Sequence, residues 1–179
     1  MSSKTVYELQ LALRKFFRFL AEEGEIDISP CDGIKLTKYR TDPQPLYSLE
    51  EIKTLLASCD SKTLSGIRDY AIITVLFDTG VRVGELISLG LPEWKHHLVS
   101  VDGKTGVRYV PLGLSSLRTL ERYTRKWNVT HYPLWRGKYG PLTPSGVLQM
   151  VRKRCMVFGV PYKGIHAFRR SAAAQMKRI

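Results

Sequence analysis

Three stretches of the chain place cationic or proton-transferring side chains where packing alone does not require them. The first is Thr79-Gly80-Val81-Arg82-Val83-Gly84-Glu85-Leu86. An arginine at the start of a helix, directly after a glycine turn, opposes the helix dipole. Arg82 therefore needs an anion, or a carboxylate such as Glu85 one turn on. The second is His166-Ala167-Phe168-Arg169-Arg170. Residues i and i+3 share a helix face, so His166 and Arg169 project together from a helix start whose free N–H groups favour a phosphate. The third is Asp102-Gly103-Lys104-Thr105-Gly106, which sets an ammonium on an exposed turn between two glycines. Singly, each has a bland reading: an exposed arginine paired with Glu85, a surface histidine, a solvated turn lysine. Taken together, Arg82, Lys104, His166 and Arg169 form a set suited to phosphoryl chemistry by charge neutralisation and proton transfer.

Other chemistries lack their residues. A two-metal site needs clustered carboxylates, and after Asp102 the sequence holds only Glu121. His96 and His97 are adjacent, so their side chains diverge, and no Cys or Asp stands at zinc-ligand spacing. Neither a G-x-x-x-x-G-K-[ST] nor a G-x-G-x-x-G cradle is present. The expectation is a site with no metal and no cofactor.

The distribution of charge names the partner class. The 179 residues carry a formal charge of +12. Residues 1–103 hold 12 Lys and Arg against 15 Asp and Glu, whereas residues 104–179 hold 16 against one. A field confined in this way attracts a polyanion, and nucleic acid is the expected partner. A membrane surface is not expected, because the cations are spread over several elements. The longest apolar stretch, residues 71–77, is too short to cross a bilayer. With 44% hydrophobic residues the chain can bury a core. No secretory h-region opens it, and Cys31, Cys59 and Cys155 show no disulfide framework, so a soluble, cytoplasmic protein is expected.

The elements that must position these residues follow from periodicity and caps. Ser3 or Thr5 can cap a helix to about Glu23, with Val6, Leu9, Leu13, Phe16 or Phe17, and Leu20 on one stripe. Residues 29–47, with Pro30, Gly33, Pro43 and Pro45 and with Lys35, Lys38 and Arg40 between them, read as a basic linker. Ser48-Leu49-Glu50-Glu51 is a capping box that opens a short helix to about Ser58. Residues 64–79 read as a largely buried helix ended by Gly80, followed by a short helix over 83–89. The β-branched runs 98–101 and 107–110 flank the Lys104 turn as a hairpin. Residues 114–127 are helical, Thr143 and Pro144 open a helix to about Phe158, and a last helix starts near His166. The fold class is mainly α with a small antiparallel β-hairpin sheet.

The three motifs, in this order, resemble those of the tyrosine recombinase (phage integrase) family. They are T-G-x-R-x-x-E-L-x-x-L at residues 79–89, G-K-x-x-x-R-x-V-P-L at 103–112 and H-x-F-R-R at 166–170. The resemblance implies a catalytic-domain-like fold over residues 43–179, preceded over 1–42 by part of a helical core-binding domain and its linker. It also implies a site-specific DNA recombinase or integrase that cuts and rejoins strands through a 3′-phosphotyrosyl bond without a metal. By motif, Arg82 and Arg169 would contact the scissile phosphate, Glu85 would orient the site, Lys104 would act as general acid and His166 would assist proton transfer. The implied partner is double-stranded DNA, which Lys35, Lys38, Arg40, Lys163 and Arg170 would contact. The family's nucleophilic tyrosine lies well beyond the H-x-x-R helix, and all nine tyrosines here precede His166. The expectation is thus a chain truncated at both ends, without its nucleophile and inactive alone in cleavage, whose longer form assembles as a homo-tetramer on DNA. The alternative is a non-catalytic DNA-binding protein, a truncated recombinase acting as regulator or competitor.

Overall fold

The structure is a computed structural model that describes residues 2–37, 39, 43–103 and 106–176. These fall into two compact units, Met1–Gln44 and Pro45–Ile179. Lys38, Arg40 and Lys104, all singled out from the sequence, lie outside the described residues.

The first unit is one helix, α1 (Ser3–Glu22), and a returning segment. Its N-cap is Ser2, not Ser3 or Thr5: the Ser2 Oγ accepts the Thr5 N–H at 3.2 Å. The returning segment lies along the side of α1 that carries Tyr7, Gln10 and Arg14. Gln10 Oε1 accepts the Thr37 N–H at 2.9 Å, Arg14 donates to the Ile34 carbonyl, and the rings of Tyr7 and Tyr39 meet at 5.1 Å. Of the apolar stripe, Leu9, Leu13 and Phe16 are exposed, because the residues that return pack against the Tyr7, Gln10 and Arg14 side instead.

The second unit is built around α3 (Leu64–Thr79), whose Ala71, Ile72, Ile73, Val75 and Leu76 are buried. A helix apolar on more than one stripe must be covered on several sides. α3 packs against α2 (Leu49–Ala57), α5 (Leu114–Trp127) and α7 (His166–Met176). Between α3 and α5 come α4 (Val83–Ile87) and an antiparallel hairpin, β1 (Leu98–Gly103) and β2 (Gly106–Pro111). The hairpin pairs Val99 with Val110, Val101 with Arg108 and Gly103 with Gly106. α4 ends two residues earlier than the periodicity suggests, and the strands run further toward the turn.

A second small hairpin, β3 (Arg136–Gly137) and β4 (Gly140–Pro141), has no counterpart in the sequence reading. It leads into α6 (Pro144–Val157), which has the expected cap: Thr143 Oγ1 accepts the Gly146 N–H, and Pro144 starts the helix. Aromatic side chains tie the hairpin region inward. Trp135 Nε1 donates to the Leu86 carbonyl at 2.7 Å and its ring stacks on Tyr123. The Tyr123 hydroxyl donates to the Leu134 carbonyl and accepts the Arg136 N–H, and burial pushes its pKa up to about 12. Asp69, only 7% exposed, locks α3 to α6 by accepting from both Arg68 and Arg154. Arg154 also donates to the Ser58 carbonyl at 2.7 Å.

Candidate active site

The corner between α3 and α4 brings the first motif into shape. Gly80 caps α3 in the left-handed region at φ +61°, where a side chain is strained. A Cβ there would also press on Ala172 at 3.3 Å, so the missing side chain lets α7 ride close over the turn. Arg82 then caps α4 with extended backbone. Its N–H donates to Glu85 Oε2 at 2.8 Å, and its Nη1 donates to Glu85 Oε1 at 2.9 Å. The carboxylate partner that the dipole argument demanded is therefore present. The rest of the Arg82 guanidinium is open to solvent, with 60% of the side chain exposed.

α7 brings the second motif to the same corner. Arg169 Nη1 donates to the Gly80 carbonyl at 2.9 Å, two residues before Arg82. His166 opens α7 and is exposed one turn earlier on the same face. The burial of Ala167 and Phe168 orients this pair, since anchoring that side of the helix leaves His166 and Arg169 outward. The Phe168 ring meets Tyr47 at 4.7 Å.

Sequence reasoning gave Arg108 no role, yet it touches Glu85 more extensively than Arg82's side chain does. Its Nη1 and Nη2 donate to Oε1 and Oε2 at 2.9 and 3.1 Å. The signal was available. Alternation along β2 puts Arg108 on the same face as the buried Val110, opposite the exposed Val107 and Tyr109. Glu85 is 3% exposed and its carboxyl is held down to about pH 2. The Arg108 fork is the main cause and the Arg82 bonds help, while burial opposes them.

The remaining cations are placed less uniformly. Lys163 is committed to protein: its Nζ donates to both oxygens of Glu51 at 2.6 and 2.7 Å and to the Leu46 carbonyl. Burial works against ionised Glu51, but the Lys163 and Ser48 hydrogen bonds outweigh it and lower its pKa. Arg170 donates to the Pro45 carbonyl at 3.0 Å. Lys35 is exposed in the first unit. Among the described residues no three His, Cys, Asp or Glu side chains gather as metal ligands, and no helix is long and apolar enough to cross a membrane.

This fold, helices around α3 with a small antiparallel hairpin, is that of the tyrosine recombinase catalytic domains. It superposes on a crystal structure of XerA recombinase with a TM-score of 0.68 at 21% identity, covering 94% of this chain and 69% of that one. For lambda integrase (residues 75–356) as a dimer bound to a COC′ core site, the values are 0.71 and 18%, covering 98% and 67%. The family model for the phage integrase family matches residues 47–178, and the chain belongs to that family. Tyrosine recombinase XerD of Listeria monocytogenes (serotype 4b, strain F2365) is 32% identical over 125 residues, covering 68% of this chain and 42% of its own length. Tyrosine recombinase XerC 2 of Ralstonia nicotianae is 30% identical over 176 residues, covering 92% and 51%. The chain thus spans about two fifths to one half of the length of these relatives.

Proposed function

We propose that this chain is the phosphate-activating part of a site-specific DNA recombinase or integrase, with duplex DNA as substrate. Arg82 and Arg169 take the non-bridging oxygens of the scissile phosphate, for which planar guanidinium groups are well matched. His166 assists proton transfer. A tyrosine oxygen attacks phosphorus, the bond to the 5′ oxygen breaks, and Lys104 gives the leaving oxygen its proton, leaving a 3′-phosphotyrosyl ester. Arginines that offset the developing charge make a divalent ion unnecessary in this scheme. Lys35, Lys38, Arg40 and Arg170 extend the DNA footprint, and Lys163 supports it through Glu51. Residues 1–42 serve as part of a core-binding domain with its linker, and the assembly on DNA is a homo-tetramer. The observation that carries the reading is the Arg169–Gly80 hydrogen bond, which joins the two arginine motifs at one corner.

The attacking tyrosine, in this proposal, comes from outside residues 1–179. Tyr47 and Tyr123 support that part, since both are buried with bonded hydroxyls, and burial raises the pKa of each. The test is a nicked suicide duplex incubated with the chain in excess chelator. The chain should bind and form no SDS-resistant adduct alone. Adding a family member that delivers its tyrosine to a neighbouring protomer, and has its own first-motif arginine replaced, should restore cleavage. An adduct from the chain alone would make one of its nine tyrosines the nucleophile. DNA binding with no complementation favours the second reading, a non-catalytic DNA-binding regulator.

A further inference from the structure

Glu85 is a buried carboxylate whose two oxygens both serve two donors. Oε1 accepts from Arg108 Nη1 and Arg82 Nη1, and Oε2 accepts from Arg108 Nη2 and the Arg82 N–H. A buried carboxylate left without a cationic partner is strongly destabilising. The bonds from Arg82 attach it to Glu85 through one backbone and one terminal nitrogen, which leaves most of its five N–H donors free. Those bonds alone do not hold the plane of the carboxylate. A two-pronged fork does, because both oxygens are then fixed relative to one rigid planar group.

The charge arithmetic points the same way. One carboxylate paired with Arg82 alone is neutral and consumes the positive charge that an anion must find. With Arg108 added, the trio carries a net positive charge, and Arg82 is its most exposed member, at 60% against 41% for Arg108.

The element that supplies Arg108 is itself pinned to this corner. Ser88 Oγ accepts the Asp102 N–H at 3.1 Å and lies 3.0 Å from the Asp102 carbonyl, fastening β1 to the end of α4. At Gly103, a Cβ would stand 3.2 Å from both Arg108 Nη1 and Glu85 Oε1, so glycine there leaves room for the pair. The same hairpin carries Lys104 in its sequence.

We propose that Arg108 is a positioning residue for the phosphate site: its fork on Glu85 sets the orientation of Arg82 and registers the hairpin against the α3–α4 corner. It does not itself take the phosphate. The inference rests on the phosphate-site reading above and deepens it. An Arg108→Lys substitution keeps the charge and loses the fork, whereas Arg108→Gln loses both.

Orthovanadate, which becomes a pentacoordinate mimic of the reacting phosphate when hydroxyls at a nick ligate it, tests this on the 179-residue chain. Three quantities are measured for the native chain and both variants. They are duplex affinity, vanadate affinity at the nick of a duplex with free 3′ and 5′ hydroxyls by vanadium NMR, and the Glu85 carboxyl titration by carbon NMR. In the native chain Glu85 stays ionised down to about pH 2. In both variants its midpoint rises, vanadate binding weakens about ten- to a hundredfold, and duplex affinity stays within about threefold. Arg108→Lys keeps the charge, so a vanadate loss with duplex affinity retained reports orientation. Unchanged vanadate affinity in that variant overturns the proposal, as does an unmoved Glu85 midpoint. A native chain that binds no vanadate at the nick while Glu85 titrates as expected overturns the phosphate-site reading instead.

Discussion

Arg169 Nη1 stands 2.9 Å from the carbonyl oxygen of Gly80, so the arginine of α7 is hydrogen-bonded to the turn that launches the arginine of α4. Gly80 serves this junction twice, by its left-handed backbone and by its missing side chain. Gly80→Ala should therefore destabilise the chain by about 1–2 kcal/mol through backbone strain. The displaced α7 should also reduce vanadate affinity at a nicked duplex. Thermal melting and the vanadate titration check the two effects, and a variant with native values in both would break the link between corner and site.

Acid should loosen the same region. The Glu85 pKa is lowered from 4.5 to about 2, so its contribution is fully present above the unfolded value and is lost as pH falls from about 4.5 through 2. After solvent screening of its two partly exposed partners, this amounts to roughly 2–3 kcal/mol. Denaturant midpoints measured from pH 6 to pH 2 should fall over that window. In Glu85→Gln the Glu85-dependent part of that fall should be absent.

Asp69 offers a test away from the site. Its carboxylate, with two arginines on it, is almost wholly buried. Asp69→Asn leaves two poorly exposed guanidinium groups without their anion and should cost about 3–5 kcal/mol. Replacing the exposed Lys153 by Gln should change the melting temperature little.

DNA binding should weaken steeply with salt. If five or more cations of residues 104–179 neutralise phosphates, log K against log salt falls with a slope steeper than about −4. Arg170→Ala should make that slope shallower by about one, whereas Lys163→Met should leave it unchanged and lower the melting temperature, because the Lys163 ammonium is held by Glu51. Equal slope changes in both variants would mean that the Glu51 brace opens on DNA.

Elements with local punctuation were legible in the sequence, and long-range partners were not. Thr143 with Pro144, the Ser48 capping box and the Gly80 stop each announce a helix end within four residues, and all three stand in the structure. Arg82 and Glu85 could be paired because one helical turn separates them. Arg108 lies 23 residues from Glu85 on another kind of element, and Arg154 lies 85 from Asp69, distances over which spacing carries no information. The β3–β4 hairpin pairs two residues on each side, too few for alternation to register. The α1 stripe was visible as a pattern, but a period says only that a face is apolar, not what lies against it.

Tyr47 stands at the start of the second unit, and its partners come from the end of it. Its N–H donates to Ser171 Oγ, its hydroxyl accepts the Lys163 N–H, and its ring lies on Phe168. During synthesis those partners are made more than a hundred residues later. At roughly 5–20 residues per second, Tyr47 waits on the order of ten seconds for them. The helix that bears His166 and Arg169 thus finds its seat after the α3–α4 corner, whose Arg82–Glu85–Arg108 trio is complete some sixty residues earlier and ready to receive it.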